Sequence, residues 1–177
     1  MRHDHVRRCL PGWLNGGMDI STDLDFAATP AAVHAMMLDR GYQEQVCVDS
    51  GSRRWEVKVE PPRTWTSRAL EAPESAARFT GSELVILEDT TWGEAAADGS
   101  RAAELVLTVE RQPVSLRGRL HLAPGGRGTT VRLVGELKVN VPLLGRKLEQ
   151  GAAPAVLAGF RTQQSAGDRW LAERQTA

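Results

Sequence analysis

The sequence predicts an α+β fold in which a curved antiparallel sheet of about six to seven strands wraps around a long C-terminal helix. Three observations predict it. Alternating polar and apolar segments fill the middle of the chain, joined by the short turn sequences "ADGS", "RQP" and "APGGRG". Short turns between successive strands make them antiparallel neighbours. One helical pattern follows the first strand, and a much longer one begins after Pro142.

"DISTDLDFA" opens the pattern, with Ile20, Thr22, Leu24 and Phe26 on one face of a strand. "TPAAVHAMMLD" follows as a helix. Thr29 suits its N-cap and Pro30 its first turn, Val33, Met36 and Met37 share a side, and Gly41 is expected to stop it. "YQEQVCV" reads as one further short helical turn. In "RRWEVKVE", Trp55, Val57 and Val59 share a face; Pro61 and Pro62 break the strand, and "TWTSRALEA" resumes it. "APESAARFTGS" reads as an irregular connection. "ELVILEDTTW", "AAELVLTVER", "VSLRGRLHL" and "TTVRLVGELKVNV" complete the sheet.

The last two strands separate two faces cleanly. Val114, Leu116, Gly118, Leu120 and Leu122 alternate with Ser115, Arg117, Arg119 and His121. Val131, Leu133, Gly135, Leu137, Val139 and Val141 alternate with Arg132, Val134, Glu136, Lys138 and Asn140. Gly118 and Gly135 fall on the apolar face, where a missing side chain permits bending, alone or together with a ligand-sized space under the helix. Pro142 ends the last strand. Leu143 and Leu144 are expected to anchor the helix start against the strand ends, with the charges of "GRKLEQ" towards solvent. The helix is expected to run from Leu143 through Leu148, Val156, Phe160, Trp170 and Leu171, with Pro154 kinking or interrupting it.

Bulk properties narrow the function. The 177 residues suit one domain, read as residues 18–177 behind a mobile leader of residues 1–17. Lys+Arg and Asp+Glu are equal at 22 each, which argues against nucleic acid as a partner. No apolar run is long enough for stable membrane insertion, and the leader lacks the apolar core of a secretion signal. A cytoplasmic protein with Cys9 and Cys47 reduced is therefore expected, as a monomer or homodimer. His3, His5 and Cys9 lack a fourth ligand, so neither a metal nor another cofactor is expected.

No nucleophile–base signature occurs, and no catalytic residue is assigned. His34 sits between apolar helix positions and reads as packing. Glu88 shares a strand face with Thr90 and Trp92. It either points into the interior as an acid or base, or reaches water or an arginine at the rim. The candidate lining of an interior ligand site is Phe26, Trp92, Leu107, Leu116, Gly118, Leu120, Leu133, Gly135, Leu137 and Phe160.

"DLDFAATPAAVHAMMLD", "DTTW" and above all "GELKVNVPLLGRKLEQ" resemble the START-like superfamily, and within it a bacterial family of unknown function. The resemblance covers about residues 18 to 172. It implies a helix-grip fold, and a small hydrophobic or lipid-like molecule held between sheet and helix. Two other readings stay open. One is a cyclase- or aromatase-like enzyme using the same cavity. The other is an interaction protein whose core is filled by Trp55, Trp65, Trp92 and Phe160, with Arg117, Arg119 and Arg132 facing an acidic partner or only solvent.

Overall fold

A computed structural model describes residues 16–72, 77 and 80–175. The leader reading, the His3, His5 and Cys9 set and most of the 73–79 connection lie outside the described residues. The strands are β1 (Met18–Phe26), β2 (Arg54–Glu60), β3 (Arg63–Glu71), β4 (Glu83–Trp92), β5 (Arg101–Val109), β6 (Val114–Gly125) and β7 (Gly128–Val139). They form one seven-stranded antiparallel sheet in the order β1-β7-β6-β5-β4-β3-β2. The long closing pair β1–β7 brings the first strand beside the last.

Helices α1 (Pro30–Met37) and α2 (Arg40–Asp49) fill the crossover between β1 and β2. Thr29 caps α1, its hydroxyl accepting from the Ala32 N–H at 3.3 Å. Gly41 does not stop this helix. The break falls at Asp39, whose carboxylate accepts from the N–H groups of Gly41 at 2.8 Å and Tyr42 at 3.3 Å and starts α2. Gly41 is glycine because Trp170 stands over it: an added Cβ would meet the indole at 2.7 Å. The expected short turn after Gly41 is thus a helix of 10 residues, whose Tyr42, Val46 and Cys47 are buried.

Helix α3 (Gly145–Gln175) lies across the concave face and packs on β1, β7 and α2. Its start corrects four expectations. Strand β7 ends at Val139, before Pro142. Leu143 is no helical residue but takes a left-handed turn with φ of 65°. Leu143 and Leu144 anchor nothing: both are exposed. The anchor is Glu149, which is buried, not solvated, and accepts the Val139 N–H at 2.9 Å. A carboxylate on the first turns of α3 thereby takes up the backbone donor at the strand's end, which a leucine cannot do.

Pro154 does not interrupt α3. It forfeits the hydrogen bond to the Gln150 carbonyl, but both residues are exposed, where water serves that carbonyl. Ala153, Phe160, Ala166 and Leu171 bury the opposite side of the helix in the core. Near the C-terminal half, Arg127 in the β6–β7 hairpin pairs with Asp25 at 3.3 Å and Asp168 at 3.0 Å, tying β1 to α3.

Candidate functional site

The register turns the inner face into rungs running across the sheet. One rung reads Val57, Thr66, Glu88, Leu107, Leu116, Leu137 and Met18 from edge to edge. The next reads Val59, Thr64, Thr90, Leu105, Gly118, Gly135 and Ile20. A third carries Trp92, Ala103, Leu120 and Leu133. The face is therefore divided: β5, β6, β7 and β1 present an apolar wall, whereas β3 and the middle of β4 present a polar one of Thr64, Thr66, Arg68, Glu88 and Thr90.

All ten sequence-predicted lining residues lie around the apolar wall. Leu107, Leu116 and Leu137 share a rung, Gly118 and Gly135 the next, and Trp92, Leu120 and Leu133 the third. Phe26 and Phe160 belong to the same buried cluster. Phe26 and Met36 reach α3 at Gly167, where an added Cβ would lie 2.6 Å from the Phe26 ring and 3.0 Å from Met36 Cε.

Gly118 and Gly135 face each other across β6 and β7. A Cβ on Gly135 would meet the Arg117 carbonyl oxygen at 2.7 Å and Gly118 Cα at 2.9 Å. The pair lets the two strands bend towards each other at mid-sheet. The space in front of them is taken by methyls: Leu133 Cδ1 would lie 3.0 Å from a Cβ on Gly118, and Leu116 Cδ1 3.2 Å from one on Gly135.

The polar wall was missed in the sequence, apart from Glu88 and Thr90. Arg68 on β3 is inward and buried, paired with the Glu88 carboxylate two residues further along β4 from its direct neighbour Ile86. Gln163 of α3 donates to both Glu88 oxygens, at 3.2 and 3.4 Å. The Tyr42 hydroxyl donates to the Gln163 carbonyl at 3.0 Å. Thr64, Thr66 and Thr90 are buried on the same wall. Glu88 is thus inward and held by an arginine, combining both readings of it. The Arg68 Nε is buried without a hydrogen-bond partner among the described residues. Arg68 lay hidden in the sequence because "TWTSRALEA" does not alternate by polarity: Thr64, Thr66 and Arg68 face in, and Trp65 faces out.

Burial sets the chemistry of the neighbouring groups. It raises Tyr42 above its ordinary range and pushes the Cys47 thiol up to about 11. Cys47 is a free, buried thiol. His34 packs edge-on against Trp92, ring centroids 5.4 Å apart, and burial with the Arg101 charge lowers its pKa.

Two of the four proposed core-filling aromatics are elsewhere. Trp55 stands at the sheet edge opposite Arg68 and is 42% exposed. Trp65 is on the outer face under the Lys58 ammonium, 4.8 Å from its ring centroid. The outer-face arginines are exposed, and Arg119 pairs with Glu104 at 2.9 Å and Arg132 with Asp23 at 2.8 Å. A groove of about 500 Å³ lies outside the grip, lined by Asp49 of α2 and Ala158, Arg161, Thr162, Ser165 and Arg169 of α3. Among the described residues no group of His, Cys, Asp and Glu is placed to hold a metal ion.

Residues 21–171 match the family described as "Protein of unknown function (DUF2505)". The chain belongs to this family. Its fold is that of the START-like superfamily, as solved structures at low identity show. A START superfamily protein from Mycobacterium smegmatis is 13% identical, with a TM-score of 0.54 over 86% of this chain and 98% of that one. A STAR-related lipid transfer protein fragment from Xanthomonas axonopodis is 17% identical, with a TM-score of 0.55 over 86% and 85%. The di-domain ARO/CYC StfQ of the steffimycin biosynthetic pathway is 11% identical, with a TM-score of 0.60 over 92% of this chain and 53% of that one. No curated protein matches the chain in sequence. No described helix is long and apolar enough to cross a membrane.

Proposed function

We propose that this DUF2505 protein binds a small, largely apolar, lipid-like molecule between the inner face of the sheet and α3. Its apolar body lies on the wall of Leu107, Leu116, Leu120, Leu133 and Leu137, and its polar group meets Arg68 and Glu88. The division of one concave face into apolar rungs and a buried polar wall carries this reading. The lipid-transfer and cyclase-type proteins that share the fold support the ligand class. The polar wall acts here as a fixed recognition surface: Arg68 and Gln163 hydrogen-bond the Glu88 carboxylate and fix its orientation, and its remaining lone pairs stay available to a ligand's polar group.

Native mass spectrometry of freshly purified protein, followed by denaturing extraction, tests the reading. A bound small-molecule adduct released on unfolding is the expected result. A second reading, an interaction protein with a filled core, is favoured by the Leu116 and Leu133 methyls packed before the glycine pair. A clean apo mass, together with no thermal shift from fatty acids, sterols or aromatic polyketides, decides for that one.

A further inference from the structure

The turn between β7 and α3 holds an apolar protrusion that the ligand reading does not use. Leu143 is fully exposed, and Leu144 and Leu148 are exposed at 54% and 41%. Leu144 and Leu148 stand one helical turn apart, joined by a backbone hydrogen bond of 3.0 Å. The tip is rigid: the Gly145 N–H donates to the Val141 carbonyl at 2.9 Å, and Glu149 fastens the next turn to Val139. Leu143 keeps a φ of 65°, which glycine or asparagine adopts more readily than leucine. A turn selected for geometry alone would carry one of those, so the leucine calls for another reason.

The exposed charges on the turn itself have one sign. From Leu137 to Leu148 the sequence has Lys138, Arg146 and Lys147 and no acidic residue. Arg146 and Lys147 are exposed beside the leucines. The flanking carboxylates lie off the turn: Glu149 is buried against the Val139 N–H, and Glu136, on β7, accepts from the Gly17 N–H. In the adjacent β5–β6 turn, Glu110 is paired with Arg111.

We propose that this turn docks the protein on an anionic lipid surface, with Leu143 and Leu144 entering the acyl boundary and Arg146 and Lys147 on the headgroups. A convex leucine tip needs a fluid apolar phase to enter, not a matching groove, and the adjacent cations select a negative interface. Attachment is peripheral and reversible, since two or three leucines and two cations fall far short of a spanning helix. The inference is independent of the interior ligand.

Flotation of the full chain with phosphatidylcholine vesicles, with and without phosphatidylglycerol, tests it. Binding to the phosphatidylglycerol vesicles at low salt is expected, with little to phosphatidylcholine alone. Leu143→Asn with Leu144→Ser lowers the partition coefficient about tenfold or more. Asparagine suits the left-handed position, so that variant keeps the wild-type melting temperature. Arg146→Glu with Lys147→Glu lowers binding by about 25-fold or more, about fivefold for each cation lost. Two results overturn the proposal: no flotation of the wild type, or flotation unchanged by Leu143→Asn/Leu144→Ser. A wild-type dimer that this variant splits, without vesicle binding, assigns the tip to a second copy instead.

Discussion

Gly118 of β6 stands directly opposite Gly135 of β7, and each backbone occupies the space that a side chain on the other would need. The contacts are unequal: a Cβ on Gly135 meets the Arg117 carbonyl oxygen at 2.7 Å, and one on Gly118 meets the Val134 carbonyl oxygen at 2.9 Å. Both obstacles are backbone, which moves only if the sheet opens. Alanine at either position is therefore expected to destabilise the fold by about 1–3 kcal/mol, Gly135→Ala more than Gly118→Ala. Urea unfolding of the two variants checks the order. Equal wild-type stability in both would show that the strands approach less closely than described.

The Arg68–Glu88 pair gives a test of a different kind. Both side chains are largely buried, at 7% and 14% exposure. Removing one partner leaves the other charge desolvated, so Glu88→Leu alone is expected to cost about 3–5 kcal/mol. Replacing both, as Arg68→Met with Glu88→Leu, is expected to restore most of that loss. A double-mutant cycle by thermal denaturation measures it. A double-variant loss equal to the sum of the two single-variant losses would mean that the pair is not coupled.

Glu149 is expected to matter more than its place in a charged helix start implies. Glu149→Ala strands the Val139 N–H and should cost about 1–3 kcal/mol. Hydrogen exchange gives the local readout. The Val139 amide should lose protection in the variant, while amides at the centre of the sheet change only with global stability.

Cys47 and Tyr42 are expected to weaken the fold at alkaline pH. Both folded-state pKa values are raised by burial, the thiol from 9.0 to about 11. Below pH 9 the folded and unfolded thiols are both protonated, and stability does not depend on this group. Above it the unfolded chain releases a proton that the folded chain keeps, so stability falls as pH rises towards 11. The loss for the thiol is roughly 1 kcal/mol per pH unit. Denaturant midpoints measured from neutral to alkaline pH should show the decline, and Cys47→Ala should flatten its first part. A wild-type curve level across that range counts against the buried thiol.

Most of the strands were legible because they alternate with period two between turn sequences, and a residue's face then follows from pleat geometry alone. That same rule placed Leu116, Leu120, Leu133 and Leu137 on the inner face. It assigned no face to β3, where inward Thr64, Thr66 and Arg68 alternate with Trp65 and leave no apolar side to recognise. Polarity pattern marks burial only when buried positions are apolar, and an inward arginine satisfied by a glutamate on another strand breaks that condition. The break between α1 and α2 was placed at Gly41 because a glycine commonly ends a helix, whereas Asp39 starts the second one and Trp170, far along the chain, explains the glycine.

The sequence by itself determined the α+β class, the order of strands and helices, the apolar wall and the chemical character of the β7–α3 turn. These depend on neighbours in the chain, which a periodicity or a proline reveals. Only the tertiary structure decided that Glu88 meets Arg68 and Gln163, that Glu149 holds the end of β7, and that Leu143 and Leu144 stand in solvent. Glu88 meets residues 20 and 75 positions away, and whether a carboxylate or a leucine is covered depends on which distant element folds over it.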